Sequence, residues 1–308
     1  MIGRVLIAGG SGLVGRALAA SLAAAGADAV VLSRSASDPR PVRGVRFVRW
    51  DGLTPVGWEA ECEGARAIVN LTGENVGAGR WTKARKQLLV ASRLEPTRAL
   101  VEAIAGAAHR PGVLIQGSAV GYYGAHGDQA LDEEAPAGRG FLPELALAWE
   151  EASRPVEALG VRRVVARTGL VLAREGGALA KMLPPFRLGL GGPLGSGRQW
   201  MSWIHLADQV AALRFLLERE DLAGAFNLAA PEPASNREFS RALAGALGRP
   251  CLARVPALAL RLALGEMSGI LLTGQRVLPR RLLQAGYRFR FPAIGAALAD
   301  LVGARGQG

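Results

Sequence analysis

Residues 7–18 read IAGGSGLVGRAL, and this stretch decides the fold. An apolar strand pattern, RVLIAGG, runs into it, and a helical pattern, LVGRALAASLAAAG, opens within it. Its glycines have the spacing Gly10-x-Gly12-x-x-Gly15, and Gly9 extends the motif to G-x-x-G-x-x-G. Glycines between a first strand and a helix permit a tight turn and let a pyrophosphate approach the backbone at the helix N-terminus. The stretch therefore predicts a dinucleotide-binding loop, formed by Gly9, Gly10, Ser11, Gly12, Leu13 and Gly15.

The end of the second strand pattern, DAVVLSR, indicates which dinucleotide is bound. An Asp or Glu there would bind the ribose 2′-hydroxyl, whereas an Arg accommodates a 2′-phosphate. The sequence has Ser33 and Arg34 at this end, and Asp28 stands at the opposite end of the strand. This predicts NADP(H); the alternative for Arg34 is a solvated cation at a strand end. Asp51, which closes the third strand, is predicted either to face the adenine or to cap a turn.

Strand and helix patterns alternate along the first half of the chain. Further apolar strand patterns lie at 45–50, 67–73, 112–118 and 162–172, with helical patterns at about 83–108 and 143–158. This alternation predicts an α/β fold with a doubly wound, mostly parallel Rossmann sheet. We expect the Rossmann domain to span 1–172, with its sheet completed by about 205–230. A smaller α/β substrate lobe is expected over 173–204, which is rich in Gly and Pro, and 231–308.

The chain from about residue 253 onward alternates helical patterns with one short strand pattern. The helical patterns are ALALRLALGEM and LPRRLLQAG, and the strand pattern is FRFP at 289–292. We therefore expect a helical extension over 254–302.

Composition narrows the classes of partner. The 308 residues carry a formal net charge of +11, almost all from arginine, with no block of five or six like charges. Small anionic ligands therefore fit better than nucleic acid, which remains the weakest alternative. Two cysteines and three scattered histidines have no zinc-site spacing, so no metal is expected. No apolar run reaches the roughly 18 residues of a membrane helix, so we expect a cytoplasmic monomer or homodimer without a membrane partner.

Several motifs together resemble a known family. AGGSGLVG, NLTGE at 70–74, GSAVGYYG at 117–124, RTGLVL at 167–172, WIHLAD at 203–208 and FNLAAPEPASNREF at 226–239 resemble the extended short-chain dehydrogenase/reductases, which include nucleotide-sugar epimerases and dehydratases. NLTGENVGAGRWTKARKQLLVASR, LPPFRLGLGGPLGSGRQ and the C-terminal extension are similar to their atypical branch, the YfcH-like epimerase family. The resemblance covers essentially the whole chain. It implies NADP(H) held by the glycine loop and by Ser33, Arg34, Leu71, Thr72, Gly73, Glu74 and Arg93.

Active members of the wider superfamily use a Tyr followed four residues later by a Lys. A free phenol has a pKa near 10 and is therefore a poor base at pH 7. The positive charge of the neighbouring ammonium favours the phenolate and so makes the Tyr a better base. No Tyr-x-x-x-Lys exists in this chain: the three tyrosines are followed at that spacing by His126, Gly127 and Phe291. On the helix where the family places the pair, FLPELALAWEEA puts Leu145 and Trp149 in the corresponding register. The usual proton machinery is therefore absent.

The stretch GSAVGYYG still offers hydroxyl groups. The family's catalytic Ser or Thr lies four residues before a Tyr, so either Ser118 pairs with Tyr122, or Ala119 takes that place before Tyr123. We predict that Ser118 and Tyr122 line the nicotinamide pocket and act in catalysis; core packing is the alternative for Tyr122. Other candidates for proton transfer are Tyr123, Glu74, His205 and Asp208. The last two lie in a strand-to-helix turn, where an Asp more often caps the helix.

The glycine-rich segment GLGGPLGSGRQWMSW at 189–203 is the candidate substrate site. Its backbone N–H groups, with Arg187 and Arg198, suit a diphosphate or carboxylate; a glycine-rich hairpin is the alternative. The sequence therefore predicts an NADP(H)-binding atypical short-chain dehydrogenase/reductase, a nucleotide-sugar epimerase or reductase that transfers hydride on an anionic hydroxyl or keto substrate. A non-catalytic NADPH-binding redox sensor or regulator is the alternative.

Overall fold

A computed structural model of the chain describes residues 3–35 and 41–303. Its strands are β1 Arg4–Ala8, β2 Asp28–Ser33, β3 Val45–Arg49, β4 Ala67–Asn70, β5 Val113–Ala119, β6 Ala130–Leu131, β7 Arg162–Thr168, β8 Leu170–Leu172, β9 Trp200–Met201, β10 Trp203–His205, β11 Gly224–Leu228, β12 Ala234–Ser235 and β13 Arg276–Val277. Its helices are α1 Leu13–Ala24, α2 Lys83–Gly106, α3 Phe141–Ala152, α4 Pro155–Ala158, α5 Gly177–Arg187, α6 Leu206–Glu218, α7 Asn236–Ala246, α8 Ala257–Leu264, α9 Gly269–Leu272, α10 Arg280–Gln284 and α11 Ile294–Val302.

Seven strands form one parallel sheet in the order β3-β2-β1-β4-β5-β7-β11. The strand order reverses between β1 and β4, and both neighbours of β1 pair in register with it: Leu6 lies opposite Val30 of β2 and Ile68 of β4. In doubly wound sheets, ligands bind at such a reversal, outside the carboxyl ends of the strands. The predicted α/β Rossmann fold is confirmed.

The sheet is covered by helices on both faces, so its strands are apolar on both sides. In β1, Val5 and Ile7 belong to the core that contains α1 and α6, whereas Leu6 packs into the opposite core against α2 and α4. All three side chains are fully buried. Complete burial of an aliphatic side chain of this size contributes about 1.5–3 kcal/mol. Because both faces of the strand are buried, its sequence is a continuous apolar run without alternating polar residues.

A third core lies in the smaller lobe, where α5, α7 and α11 pack together. Helix α7 begins with a capping box: Ser235 accepts the Glu238 N–H, and the Glu238 carboxylate accepts the Ser235 N–H at 2.7 Å. Strand β12 just before it pairs with β9. The division of the chain into two domains at the predicted boundaries stays a prediction, and residues 304–308 lie outside the described part.

The predicted FRFP strand at 289–292 is wrong, because this segment has no strand partner. Its backbone is held by a side chain instead: the Asp208 carboxylate accepts the N–H groups of Arg290 at 2.7 Å and Phe291 at 2.9 Å. The Tyr287 hydroxyl donates to the Asp208 main-chain oxygen at 3.0 Å. One buried carboxylate thus replaces the ladder that a strand pattern would need.

Within residues 3–35 and 41–303, no helix combines the length and apolarity needed to cross a membrane. The same residues contain no cluster of three His, Cys, Asp or Glu side chains arranged to hold a metal ion.

Candidate active site

The glycine loop is built so tightly that side chains are excluded from it. Gly9 has a φ of +78°, and a Cβ atom there would lie 2.6 Å from the Leu71 carbonyl oxygen. A Cβ on Gly15 would lie 2.5 Å from the Gly9 oxygen, and one on Gly10 would lie 2.6 Å from a β2 side chain. The Gly12 N–H closes the turn by donating to the Gly9 oxygen at 3.1 Å. The glycines therefore serve both the turn and the close packing of β1, α1 and β4.

The N-terminus of α1 leaves backbone donors unsatisfied. Gly12 is the N-cap, and it has no side chain to accept the first N–H groups of the helix. These groups and the helix dipole together favour an anion, as a dinucleotide pyrophosphate would supply. Ser11 is exposed at the tip of the loop and Leu13 is half-buried. The loop thus fits the group that its sequence predicts.

The adenosine side of the site carries Ser33, Arg34 and Asp51. The Ser33 hydroxyl accepts the Ser35 N–H at 3.3 Å, and Arg34 is exposed at the end of β2, as a 2′-phosphate partner must be. The Asp51 carboxylate accepts the backbone N–H groups of Leu53 at 2.7 Å and Thr54 at 3.0 Å, and these bonds lower its pKa. Asp51 therefore caps its turn, and an adenine contact stays a prediction.

Arg93 packs against the loop that follows β4 and stabilises its backbone. The Thr72 hydroxyl donates to Asn70 Oδ1 at 2.7 Å, and a Cβ on Gly73 would lie 3.0 Å from the Arg93 guanidinium carbon. Arg93 donates to the Glu74 main-chain oxygen at 3.1 Å, and burial lowers its pKa to about 10. Arg93 thus shapes the backbone at Gly73 and Glu74, and its direct contact with a cofactor stays a prediction.

Ser118 contacts a buried ion pair formed by Glu150 and Arg167. Ser118, at the carboxyl end of β5, is 5% exposed, and its hydroxyl donates to Glu150 Oε1 at 2.6 Å. Arg167 of β7 donates to both oxygens of the same carboxylate, each at 2.9 Å. Such a bidentate pair holds the carboxylate in one orientation. The Ser118 hydroxyl is therefore linked to a buried proton acceptor.

The two adjacent tyrosines have different environments. Tyr123 is fully buried, donates to Asn227 Oδ1 at 2.7 Å and accepts from Arg167 at 3.0 Å. Burial raises the pKa of Tyr123 to about 12. Tyr122 is half-buried, its ring centre lies 3.5 Å from the Arg167 guanidinium carbon, and its hydroxyl has no hydrogen bond to the described residues. Tyr123 is thus a core residue, and a catalytic role for Ser118 and Tyr122 stays a prediction.

Trp149 lies on α3, at the position that the sequence comparison predicts to correspond to the superfamily's lysine. A Cβ on Gly117 would lie 3.2 Å from the Trp149 ring, and the indole N–H donates to the Thr97 hydroxyl at 3.2 Å. Arg93 lies 5.1 Å from the same ring. This indole packs into the space between β5 and α2, so no ammonium takes part in proton transfer from this position.

The protein-family model described as "NAD dependent epimerase/dehydratase family" matches residues 5–229 of the sequence. These residues contain the glycine loop, Ser118 and Arg167. The chain belongs to this family. A second model, described as "Domain of unknown function (DUF1731)", matches residues 255–301 of the C-terminal extension. The predicted epimerase-family chain with a C-terminal extension is confirmed.

Relatives within the epimerase family match nearly end to end. Epimerase family protein Mb2239 of Mycobacterium bovis is 43% identical over 295 residues, which are 96% of each chain. The human epimerase family protein SDR39U1 is 40% identical over 303 residues, 97% of this chain and 99% of the relative. Its isoform 2 was solved with NADPH and superposes with a TM-score of 0.88 over 97% of this chain and 99% of that one. A Corynebacterium glutamicum nucleoside-diphosphate sugar epimerase, 33% identical, matches with a TM-score of 0.75 over 97% of this chain and 58% of its own.

His205 and Asp208 of this epimerase-family chain stabilise the start of α6 and the backbone of the C-terminal extension. His205 is the N-cap of α6: its Nδ1 accepts the Ala207 N–H at 3.0 Å, and its ring stacks on Phe291 with 4.0 Å between centres. Its Nε2 lies 3.3 Å from Asp300 Oδ2, and burial lowers the pKa of the imidazole. Asp208 binds the C-terminal backbone, as described above. His205, and not Asp208, therefore caps α6, and a role for either residue in proton transfer stays a prediction.

The remaining predicted residues lie at the surface. Arg187 and Arg198 are exposed and form no ion pair within the residues described, and Glu74 pairs loosely with Arg85 at 3.5 Å. The segment 189–199 is a loop, and the hairpin alternative is wrong because β9 pairs with β12. A substrate role for either arginine stays a prediction.

Three functional candidates escaped the sequence analysis. Glu150 and Arg167 each lie within an apolar stretch of sequence. A charged residue in such a stretch was the only sign that these side chains could be buried and functional. The third is Arg276, whose guanidinium lies 4.8 Å from the Trp200 ring and whose buried Nε has no hydrogen bond within the described chain. A buried donor without a partner is a candidate for binding an anionic substrate.

Proposed function

We propose that this protein is an NADP(H)-dependent oxidoreductase or epimerase that transfers a hydride at a hydroxyl or keto carbon of an anionic substrate. One observation carries the proposal: an intact dinucleotide loop shares the carboxyl edge of the sheet with a serine linked to a buried carboxylate. The exposed Arg34 supports NADP(H), as does the NADPH in the human relative's structure. NADP(H), when bound, supplies the hydride chemistry.

The cofactor would be held from the α1 end. The backbone N–H groups at Ser11 and Leu13 would bind the pyrophosphate, and Ser33 with Arg34 would bind the 2′-phosphate. The loop from Leu71 to Gly73, pressed into shape by Arg93, would support the ribose on the nicotinamide side. These roles extend the family resemblance to the positions that the geometry brings to one edge.

Ser118 and Glu150 would move the proton. Ser118 Oγ accepts the proton of a substrate hydroxyl while its own proton passes to Glu150 Oε1, 2.6 Å away; reduction runs in the reverse direction. Arg167 keeps the carboxylate oriented and stabilises its charge. The free Tyr122 hydroxyl would position the substrate oxygen. This arrangement replaces the phenolate and ammonium that the chain lacks.

An anionic substrate fits the cations of the lobe. Arg276 has an unpartnered Nε beside the Trp200 indole, an arrangement that suits a phosphate next to a planar base. Arg187 and Arg198 add exposed positive charge on the glycine-rich segment. The Corynebacterium relative's description as a nucleoside-diphosphate sugar epimerase supports a nucleotide sugar as the substrate class.

The cofactor part is tested by fluorescence titration with NADPH and with NADH, on the wild type and on Arg34→Ala, with the exposed Arg288→Ala as the matched control. We expect tighter binding of NADPH, with the preference lost only in Arg34→Ala. The reaction part is tested by nicotinamide absorbance with UDP-glucose and UDP-glucuronic acid. Failure of both nucleotides to bind would contradict the proposal as a whole.

A second candidate function is a redox sensor that binds NADPH without turnover. Trp149 favours it, because a core indole stands where a catalytic ammonium would be needed. A sensor would bind NADPH, show no substrate-dependent change in nicotinamide absorbance, and lose no function in Ser118→Ala. Substrate-dependent oxidation of NADPH that Ser118→Ala abolishes would exclude the sensor.

A further inference from the structure

The lobe exposes an unusual number of leucines. Within residues 3–35 and 41–303, six large apolar side chains are more than 60% exposed; Val56 is one, and the other five are Leu188 (74%), Leu190 (65%), Leu252 (86%), Leu258 (66%) and Leu262 (69%). We refer to these five leucines as the leucine surface. Single exposed leucines need no explanation, but a concentration in one lobe marks an interaction site.

The leucine surface is formed by two adjoining segments. A Cβ on Gly189 would lie 3.6 Å from the Pro250 ring, and Leu194 forms a parallel bridge with Val255, so residues 188–195 run beside 250–257. Leu188, Leu190 and Leu252 are therefore neighbours along these segments. Helix α8 continues directly from the second segment.

Helix α8 is anchored through two of its carbonyl oxygens and leaves Leu258 and Leu262 exposed. Its sequence is ALALRLAL, yet none of its residues is buried, and Leu258 and Leu262 stand one turn apart. Arg80 donates to the carbonyl oxygens of Leu262 and of Ala263, the latter at 2.8 Å. An apolar helix fixed in this way presents its leucines to a partner.

Within the two stretches that carry the leucine surface, every charged side chain is a cation, and Glu266, which follows α8, is paired with Lys86. The stretches 176–207 and 239–265 contain no Asp or Glu. They contain seven cations, all exposed and none in an ion pair within the described chain: Lys181, Arg187, Arg198, Arg241, Arg249, Arg254 and Arg261. Elsewhere on the protein, by contrast, arginines commonly pair with carboxylates, as Arg46 does with Glu61.

We propose that the leucine surface docks the protein on a membrane that contains anionic phospholipid. Leucines enter the boundary between headgroups and acyl chains, and the surrounding cations bind the phosphates, which is the pattern of peripheral membrane binding. A second copy would bring like charges together, and nucleic acid would leave the leucines in water. The sequence-based expectation of no membrane partner considered spanning helices, which this mode of binding does not need.

The test is co-sedimentation of the full chain with vesicles of phosphatidylcholine alone and of phosphatidylcholine with phosphatidylglycerol. We expect binding to the anionic vesicles only, and weaker binding as salt screens the charges. The triple variant Leu252→Ser/Leu258→Ser/Leu262→Ser should bind at least about tenfold more weakly, since each lost leucine removes apolar area from the bilayer. The triple variant Leu53→Ser/Val56→Ser/Leu88→Ser, which alters exposed apolar residues elsewhere, is the matched control.

Charge is tested separately with Arg249→Gln/Arg261→Gln against Arg139→Gln/Arg288→Gln, and we expect only the first pair to weaken binding. Equal sedimentation with both kinds of vesicle, or equal loss in the leucine variant and its control, would overturn the proposal. A dimeric wild type that the leucine variant converts to a monomer, measured by light scattering without vesicles, would assign the surface to a second copy instead. None of these outcomes depends on the reaction proposed above.

Discussion

Glu150 and Arg167 meet through two parallel hydrogen bonds of 2.9 Å, and both side chains are more than nine-tenths buried. The pair joins α3 to β7 next to Ser118, near the carboxyl end of β5. Removing one partner of such a pair leaves a buried charge uncompensated, which usually costs about 3–5 kcal/mol. The pair is thus central to the stability of the proposed site.

Arg167→Met should therefore lower the free energy of unfolding by about 3–5 kcal/mol in urea denaturation. The double variant Glu150→Gln/Arg167→Met should recover part of this loss, because it removes the unpaired charge. Arg154→Met, which breaks the exposed pair with Glu151, should cost less than about 1 kcal/mol. A small loss in Arg167→Met, equal to that in Arg154→Met, would contradict the buried pair.

Gly15→Ala should abolish NADPH binding. The new methyl group would lie 2.5 Å from the Gly9 oxygen, so the loop and α1 must move apart. Gly245→Ala in α7 is the control, because nothing lies within 4 Å of its Cβ and the helix favours alanine by about 0.5–1 kcal/mol. NADPH titration and thermal unfolding of both variants measure the effects; normal NADPH affinity in Gly15→Ala would refute the geometry of the loop.

The two tyrosines should respond in opposite ways to loss of their hydroxyl groups. Tyr123→Phe removes the donor to Asn227 Oδ1 and the acceptor of one Arg167 N–H, and should cost about 1–3 kcal/mol of unfolding free energy. Tyr122→Phe keeps the ring against Arg167, so it should leave stability nearly unchanged and lower turnover of the substrate found by absorbance screening. Wild-type activity in Tyr122→Phe would remove Tyr122 from the catalytic assignment.

His205 should make stability fall in mildly acidic solution. Burial lowers its pKa below the ordinary 6.5, so the unfolded chain takes up a proton there before the folded chain does. The free energy of unfolding should therefore fall as the pH drops through 6.5 and level off below the folded pKa. His205→Asn retains a capping side chain without a titrating group, and should flatten this slope in denaturant titrations at a series of pH values. His126→Asn controls for the loss of a histidine, and a slope unchanged in His205→Asn would contradict the assignment.

Local signals in the sequence were sufficient for the sheet and the glycine loop. The first strand, the glycine spacing and the helix behind it lie within the first 24 residues, so their geometry follows from neighbours in the chain. The parallel strands are continuous apolar runs, which their burial on both faces requires. The position of Arg34 at the end of β2 was equally predictable, because it depends only on where that strand ends; its role in binding a 2′-phosphate stays a prediction.

Long-range pairing could not be predicted in the same way. Glu150 has an identical neighbour at Glu151, and only the packing of α3 decides which of the two turns inward to meet Arg167. FRFP has a strand composition, but its N–H groups were already taken by Asp208, which lies some eighty residues earlier in the chain. Pattern reasoning detects a preference for extended backbone and has no information about such a distant acceptor.

The hydrogen bonds of the Asp208 carboxylate also limit how far the chain can fold before its synthesis is complete. It belongs to α6, within the region matched by the epimerase family model, but its hydrogen-bond donors belong to the last part of the chain, and Leu282 and Tyr287 fill the same core as α1. A nascent chain that has emerged only as far as β11 therefore has its full sheet but an incomplete core and an unsatisfied buried carboxylate. Stop codons after residue 229 should yield insoluble or rapidly degraded fragments, so the two family models do not correspond to modules that evolution could exchange independently.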